Sequence, residues 1–192
     1  VEIGSETIAL ITYMRTDSTR ISTEAVKDVR SLIVKQYGQS YCPDKVNVYS
    51  SKDAQDAHEA VRPIDVSITP ESVKNKLEKN MYKLYALIWK RFVSCQMECA
   101  RYSQRQIIFE TDSDDQAKIA GSVIEFDGFL KVYQSDEEEE KSEEFDVLLP
   151  DAQKGEKTTC KELLKKQHFT QPPARYSQAT LVKEMESKEI GR

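Results

Sequence analysis

The sequence predicts a multidomain fold with both α and β structure, in three consecutive regions. Residues 1–98 are expected to be helical, because apolar residues recur there at the spacing of helix faces. Residues 99–158 are expected to be rich in strands, since β-branched and aromatic residues replace that spacing. Residues 159–192 return to a helical pattern with a single helix, which is too short to bury a core alone. We therefore expect the chain to be part of a longer polypeptide.

Start and stop signals define the helices of the first region. Ser22 or Thr23 begins a helix that Gly38 ends, since hydroxyl residues cap amino termini and glycine suits the position after a helix. Thr69-Pro70-Glu71 opens another helix, with proline at its first position. A longer helix is expected from Lys79 to Met97. Its predicted apolar stripe has Trp89 on the flank and consists of Leu84, Leu87, Ile88, Arg91 and Cys95.

The strand predictions rest on composition and turn signals. Thr7–Thr16 is rich in Ile, Thr and Tyr and lacks Gly and Pro, which is typical of a strand or an extended segment. Arg101–Glu110 and Lys118–Tyr133 have strand composition, and Asp127-Gly128 is a turn signal. These segments predict the sheet of the second region.

The net charge of −5 argues against a protein that simply coats DNA, but the charge is unevenly distributed. The run from Asp136 to Glu144 contributes −6 and is expected to be a solvated acidic loop. The rest of the chain then sums to about +1, and the stretch from Cys160 to Arg192 has a surplus of +3. The composition therefore leaves a nucleic-acid partner open.

The sequence predicts neither a membrane protein nor a metal site. The apolar segment Thr7–Tyr13 is far shorter than the roughly twenty residues of a membrane helix, and no basic leader precedes it. Cys42, Cys95, Cys99 and Cys160 form no C-x-x-C pair. Cys95 and Cys99 are expected one turn apart on a helix, where reduced thiols are favoured over a shared metal. We expect a cytoplasmic protein without a bound metal.

The segment Ile11–Ser18 contains the first candidate site. In an extended chain Tyr13, Arg15 and Asp17 share one face. The Arg15 guanidinium would favour the phenolate of Tyr13 and bind a phosphate oxygen, and Asp17 would hold Arg15 in place. This pattern is typical of nucleophilic attack on phosphorus. The alternative is a half-buried strand with an ordinary surface ion pair.

Two further segments contain candidate phosphate contacts. His58, followed by Glu59 and Arg62, is placed to donate to a phosphate, although a lone histidine is more often structural. Arg175 lies next to the Ser177 cap of a final helix, where backbone amides favour phosphate. The alternative there is a rigid linker and an ordinary helix cap.

Three motifs in this order resemble those of type IA DNA topoisomerases, in particular the bacterial branch. Ile11–Ser18 is similar to the active-site strand, in which Met-Arg-Thr-Asp-Ser follows a tyrosine. Asp56–Pro63 is similar to Ala-His-Glu-Ala-Ile-Arg-Pro. Phe169–Arg192 resembles Phe-Thr-Gln-Pro-Pro-Ala-Arg-Tyr followed by a helix ending in Gly-Ile-Gly-Arg, and Glu189 stands where the first glycine is usual.

The resemblance implies an ATP-independent enzyme that relaxes negative supercoils. Tyr13 would form a 5′-phosphotyrosine link with one DNA strand, and Arg15 would contact the scissile phosphate. His58 would help to position that phosphate. The three regions would be the tyrosine domain, a strand-rich arch or hinge, and the start of a helical domain at the single-stranded DNA groove. The residues expected near that groove are Arg175, Ser177 and Arg192.

The same resemblance implies parts that this sequence lacks. The family binds Mg²⁺ through an acidic Toprim module, and no segment here has its pattern. Zinc modules toward the carboxyl end are also missing. We therefore expect no cofactor in this chain, partners in single-stranded DNA and the rest of the polypeptide, and no relaxation by the isolated chain. Two alternatives stay open: a non-catalytic DNA-binding module that acts like a helix-turn-helix, and a scaffold that binds protein through the acidic loop.

Overall fold

The chain folds into two compact units, residues 1–152 and residues 153–192, in a computed structural model. The structure describes residues 2–3, 6–14, 16, 18–49, 58–133, 149–170 and 172–190. The predictions for Arg15, Asp17, Arg192 and the acidic run 136–144 lie outside the described residues. Across the parts that the structure describes, no helix has both the length and the apolar character needed to cross a membrane.

The first long helix, α1, runs from Thr23 to Tyr37, as the end signals predicted. The Ser22 hydroxyl accepts a hydrogen bond from the backbone N–H of Ala25 at 3.3 Å and so caps the amino terminus. Gly38 ends the helix at φ +100°, a backbone conformation that favours glycine. The inner face of α1 consists of Ala25, Val29 and Ile33, which are buried at helical spacing.

Two more helices complete the first helical part. The short helix α2 runs from Pro70 to Val73, with proline in the first turn as predicted. The helix α3 runs from Lys79 to Cys95 and ends two residues before the predicted end. Cys99 therefore lies beyond the helix, and the expectation that Cys95 and Cys99 are one helical turn apart is wrong.

The buried face of α3 differs from the predicted stripe. Leu84 and Leu87 are 51% and 53% exposed, whereas Trp89 is 5% exposed. The aromatic residues occupy the buried face of α3 because their burial removes more apolar area from water. Their polar atoms also have hydrogen-bond acceptors on that face. The indole N–H of Trp89 donates to the Val66 carbonyl at 2.9 Å. The buried residues of α3 are Tyr85, Trp89, Phe92, Val93 and Ser94.

A long antiparallel hairpin follows α3. Strand β3 is Arg101–Glu110 and strand β4 is Gln116–Phe126, paired with Ile107 opposite Ile119. The residues between them make the turn, with Asp114 at φ +62°. The strand expected from Lys118 to Tyr133 is therefore shorter at its carboxyl end and begins two residues earlier.

The Asp127-Gly128 pair, predicted as a turn signal, begins a 3₁₀ helix, Gly128–Lys131. Gly128 has φ +50°, and a Cβ atom there would lie 2.5 Å from the Glu98 carbonyl oxygen. The glycine thus permits a close backbone approach that the sequence pattern does not reveal. The Phe129 N–H donates to that same carbonyl at 2.9 Å.

One core joins the helices to the base of the hairpin. The inner faces of α1 and α3 pack with Cys42, Val66, Val73 and Met97, and Phe129 and Val132 pack against this cluster from the 3₁₀ segment. The Tyr41 hydroxyl also donates to the Asp127 carboxylate at 2.7 Å. This core fixes the framework on which the segment around Tyr13 is held. In the sequence before the Tyr13 segment, β1 (Glu2–Ile3) pairs with β2 (Glu6–Thr7) in a small antiparallel ladder.

The second unit contains the helix α4, Gln178–Ser187. As predicted, Ser177 caps it: the Ser177 hydroxyl accepts from the Thr180 N–H at 3.2 Å. The Thr180 hydroxyl in turn accepts from the Ser177 N–H at 2.8 Å, which completes a capping box. No residue of α4 is buried within this chain.

Candidate active site

The segment around Tyr13 lies against the segment that follows His58. The Thr12 N–H donates to the Arg62 carbonyl at 2.9 Å, and the Ile64 N–H donates to the Leu10 carbonyl at 3.0 Å. Ile11 forms an isolated antiparallel bridge with Pro63. Two motifs about 50 residues apart in sequence are thus held together by backbone hydrogen bonds.

The strand expected over Thr7–Thr16 is present only in part. Strand β2 ends at Thr7, a single bridge follows at Ile11, and Thr16 lies in a turn. Pro63 has no N–H to donate, which prevents a regular ladder at this position. The neighbouring Arg62 N–H donates to the Thr12 side chain rather than to a backbone carbonyl.

The Tyr13 side chain is exposed, whereas the residue before it, Thr12, is hydrogen-bonded to the segment that follows His58. The Tyr13 side chain is 78% accessible to solvent, and the Met14 side chain is 77% accessible. Such exposure is unusual for two large side chains next to a hydrogen-bonded segment, because apolar side chains of this size normally gain by burial. A phenol in this position is reachable by a macromolecular substrate.

His58 is half-buried, and its backbone is tied to the other end of the tyrosine segment. The Ser18 hydroxyl donates to the His58 carbonyl at 2.8 Å, and Ser18 is itself 6% exposed. The Ala60 N–H donates to the Arg20 carbonyl at 2.8 Å. The segment that contains His58 therefore contacts the chain on both sides of residues 13–17.

Glu59 and Arg62 form an ion pair beside His58. Arg62 Nη2 lies 3.1 Å from Glu59 Oε2, and the Ser22 N–H donates to Glu59 Oε1 at 2.8 Å. Arg62 also donates to the Pro63 carbonyl at 2.8 Å. Burial pushes the pKa of the Glu59 carboxyl upward, but the hydrogen bonds from Arg62 and from Ser22 outweigh burial. The pKa of Glu59 therefore lies below its ordinary value of 4.5.

Sequence reasoning missed Thr12 and Ser18 as residues of this site. The Thr12 hydroxyl donates to the Ala60 carbonyl at 2.9 Å and accepts from the Arg62 N–H at 3.0 Å. Both residues belong to the segment Ile11–Ser18, which contains Tyr13. Their partners lie 40 or more residues away in sequence, so no local spacing signals the contacts.

The structure brings some of the predicted site residues together. Tyr13 and His58 lie on segments that are hydrogen-bonded to each other, whereas the alternation of Tyr13 with Arg15 and Asp17 stays a prediction from the sequence. Arg175 and Ser177 are exposed and belong to the second unit. The Ser177 hydroxyl is engaged in the helix cap, which supports the structural alternative for that residue.

Clustered metal ligands are absent from the described residues. Among them, no group of three or more His, Cys, Asp or Glu side chains is placed to hold a metal ion. A divalent cation such as Mg²⁺ needs oxygen ligands, typically one or two carboxylates in an octahedral arrangement.

Comparisons with known proteins agree on one family. A family model for DNA topoisomerases matches residues 6–192. DNA topoisomerase 1 of Rickettsia felis is 48% identical over 197 residues, which cover 100% of this chain and 25% of that protein. DNA topoisomerase 1 of Vibrio cholerae is 45% identical over 183 residues, covering 95% of this chain and 20% of that protein.

A solved structure gives the same answer. The structure of full-length topoisomerase I from Thermotoga maritima matches with a TM-score of 0.72 and 32% identity, over 100% of this chain and 30% of that one. This chain thus spans about a quarter of the length of the curated relatives it matches. Since the family model covers nearly the whole sequence and the relatives share close to half of its residues, the chain belongs to the bacterial type IA DNA topoisomerase family.

Proposed function

We propose that this chain supplies the attacking tyrosine of a type IA topoisomerase, and that Tyr13 is that residue. The observation that carries the proposal is the 78% exposure of Tyr13 on a segment that is hydrogen-bonded to the segment of His58. An exposed phenol with a fixed backbone is accessible to a DNA strand and still has a defined position. Family membership supports the same assignment.

The proposed step exchanges one phosphate ester for another. The Tyr13 oxygen attacks the phosphorus of one DNA strand, and the phenolic proton passes to a base. The bond from phosphorus to the 3′ oxygen breaks, and that oxygen takes up a proton. The 5′-phosphate stays on Tyr13 while another strand passes through the break. The 3′-hydroxyl then attacks the phosphotyrosine, which restores the strand and the free tyrosine and needs no ATP.

The tyrosine needs help from neighbouring groups at neutral pH. A phenol has an ordinary pKa of about 10, so little phenolate is present. We propose that Arg15 stabilises the phenolate and contacts the scissile phosphate, and that Asp17 holds Arg15. These two roles rest on the sequence motif. We propose that His58 positions the phosphate, since its segment is bound to the chain on both sides of Tyr13.

We propose that the remaining functions belong to a longer polypeptide. In that proposal a Toprim module binds Mg²⁺, zinc modules lie toward the carboxyl end, and the protein acts on single-stranded DNA in the cytoplasm. Residues 1–98 act as the tyrosine domain, and residues 99–158 act as an arch or hinge that opens to pass DNA. Residues 159–192 open the domain of the DNA groove, near which we place Arg175, Ser177 and Arg192.

The test uses the full-length polypeptide that contains this chain. Wild type, Tyr13→Phe and Tyr102→Phe are incubated with a single-stranded oligonucleotide labelled at its 3′ end and denatured, and the label bound to protein is measured. Tyr102 is a matched control because it is a 49% exposed tyrosine on strand β3 and is not part of the Tyr13 segment. We expect adducts with wild type and Tyr102→Phe and none with Tyr13→Phe. Undiminished adducts with Tyr13→Phe would overturn the proposal, and DNA binding without any adduct would favour a non-catalytic module.

A further inference from the structure

We propose that Thr12 and Ser18 are positioning residues, whose hydroxyl groups hold the Tyr13 segment in register with the His58 segment. The inference rests on the proposed role of Tyr13 as nucleophile. It assigns no new contact with DNA to either hydroxyl. Each acts through the backbone of the opposite segment, one before Tyr13 and one after residue 17.

Among the residues that the structure describes, Thr12 makes hydrogen bonds directly next to the nucleophile in sequence. Its hydroxyl donates to the Ala60 carbonyl at 2.9 Å and accepts from the Arg62 N–H at 3.0 Å. Its own N–H donates to the Arg62 carbonyl at 2.9 Å. The side chain thus replaces one step of a backbone ladder that Pro63 interrupts. A valine of nearly the same shape would keep the packing and leave the Ala60 carbonyl and the Arg62 N–H without this partner.

Ser18 makes the matching contact on the other side. Its hydroxyl donates to the His58 carbonyl at 2.8 Å and accepts from the Arg20 N–H at 3.2 Å. Because Ser18 is 6% exposed, water has little access to replace these bonds. Ser18 therefore fixes the backbone of His58 itself, whereas Thr12 fixes the residues that follow His58.

The position of the Tyr13 segment has a direct consequence for rate. Attack requires the reacting atoms to approach to about 3–3.5 Å in line, and a displacement of about 1 Å can lower a rate about a hundred-fold. Packing contributes little to the position of a side chain that is 78% exposed. The backbone on either side of Tyr13 must therefore define where the phenol lies relative to a phosphate held near His58. The two hydroxyls are the side-chain contacts that do this among the described residues of the segment.

The experiment measures chemistry and binding separately in the full-length polypeptide. The variants are Thr12→Val, Thr12→Ser and Ser18→Ala, with Thr19→Val as the control. Thr19 is an exposed threonine that directly follows the Tyr13 segment, and its hydroxyl donates at 3.4 Å to the Tyr49 carbonyl instead of to the His58 segment. For each variant the rate of adduct formation is measured in a single turnover with enzyme in excess, and the DNA Kd is measured by titration.

We expect Thr12→Val and Ser18→Ala to lower the single-turnover rate at least about ten-fold, with Kd changed by less than about two-fold. Thr12→Ser retains the hydroxyl and should keep most of the rate, and Thr19→Val should match wild type. If Thr12→Val does not fold, as its thermal unfolding will show, the Ser18→Ala variant decides. Rates for Thr12→Val and Ser18→Ala equal to that of Thr19→Val would overturn the inference.

A double-mutant cycle separates positioning from a general loss of structure. If Thr12 acts by placing Tyr13 relative to His58, then Thr12→Val should slow a His58→Ala enzyme much less than it slows wild type. An equal loss in both backgrounds would overturn the positioning role. Absence of any adduct in wild type would overturn the proposed function as well. If wild type forms the adduct normally and the Thr12→Val and Ser18→Ala variants form it at the wild-type rate, the positioning inference alone would be overturned.

Discussion

The Glu59 carboxylate accepts a hydrogen bond from the backbone N–H of Ser22 at 2.8 Å, and Ser22 is the residue that caps helix α1. Arg62 completes this arrangement by its ion pair with Glu59 at 3.1 Å. The residue next to His58 is thus bonded to the start of the helix that contributes Ala25, Val29 and Ile33 to the core. Glu59 therefore connects the candidate site to the core, and a substitution at Glu59 tests this connection.

Replacing Glu59 with Gln should destabilise the chain. The variant keeps an oxygen acceptor for the Ser22 N–H but loses the ion pair and the charge-assisted hydrogen bonds. Since Arg62 is 13% exposed and Glu59 is 27% exposed, solvent only partly replaces what is lost. We expect the free energy of unfolding at pH 7 to fall by about 1–2 kcal/mol. Denaturant unfolding measures this change, and a difference within error would show that the pair is energetically neutral.

The same pair predicts a dependence on pH. The pKa of Glu59 is lower in the folded chain than its ordinary value of 4.5, so the folded state binds this proton less readily than the unfolded state. The stabilisation is therefore complete above that ordinary value and is lost as the pH falls through the lower folded pKa. The difference in melting temperature between wild type and Glu59→Gln should be constant from pH 7 to about 5.5 and should shrink below about pH 4. A difference that grows in acid would contradict this assignment.

The face of α3 that enters the core can be tested with two substitutions on one helix. Phe92 is 5% exposed and Leu84 is 51% exposed. Phe92→Ala should lower the free energy of unfolding by about 3–5 kcal/mol, because it leaves a cavity. Leu84→Ala should lower it by less than about 1 kcal/mol. Equal losses in chemical denaturation would contradict the burial of Phe92 in preference to Leu84.

The choice of buried face in α3 has a physical explanation. Leu84 and Leu87 recur at helical spacing as regularly as Tyr85 and Trp89 do, so periodicity alone allows either face. Hydrogen-bond acceptors outside α3 favour burial of the aromatic face, since the Tyr85 hydroxyl donates to the Ile68 carbonyl at 2.7 Å. Burial also raises the pKa of Tyr85 to about 12. The boundaries of α1 were predictable because Ser22 and Gly38 act within one turn of the helix ends.

Long-range contacts explain the other differences. Asp127-Gly128 was interpreted only as a turn signal, but Gly128 lies against the Glu98 carbonyl, 30 residues away in sequence. The site shows the same limit. The motif of Tyr13 and the motif of His58 were each recognisable in the sequence. The hydroxyl contacts of Thr12 and Ser18 that join them depend on a pairing that no local pattern encodes.

Two glycines with positive φ should respond differently to alanine. At Gly38, φ is +100° and an added Cβ meets nothing within 4 Å, so only backbone strain of about 1–3 kcal/mol is expected. At Gly128, φ is +50° and the Cβ would lie 2.5 Å from a backbone oxygen. The free energy of unfolding should fall more for Gly128→Ala than for Gly38→Ala, and the decrease for Gly128→Ala should be at least about 3 kcal/mol. Thermal unfolding of the two variants compares them directly, and the reverse order would show that the close approach at Gly128 is wrong.

Ser177 allows its cap to be separated from its proposed place near DNA. Asp and Asn both cap helices well, so Ser177→Asp and Ser177→Asn keep α4 and differ in charge. If Ser177 lies near the DNA groove, Ser177→Asp should weaken binding of single-stranded DNA about three- to ten-fold at low salt, and the loss should shrink as salt rises. Ser177→Asn should bind like wild type. Titration of the full-length polypeptide measures both, and equal affinities would leave Ser177 with the cap alone.

The central claim, that Tyr13 attacks phosphorus and retains the 5′-phosphate, is tested most directly by the polarity and position of the adduct. The full-length wild-type polypeptide is incubated with single-stranded oligonucleotides labelled at either the 3′ end or the 5′ end, then denatured and digested for mass spectrometry of the labelled peptide. A 5′-phosphotyrosine link retains the 3′ portion of the strand, so the 3′ label should stay with the protein and the 5′ label should be released. The nucleotide should be found on the peptide that contains Tyr13. Retention of the 5′ label, or a nucleotide on any other residue, would contradict the account.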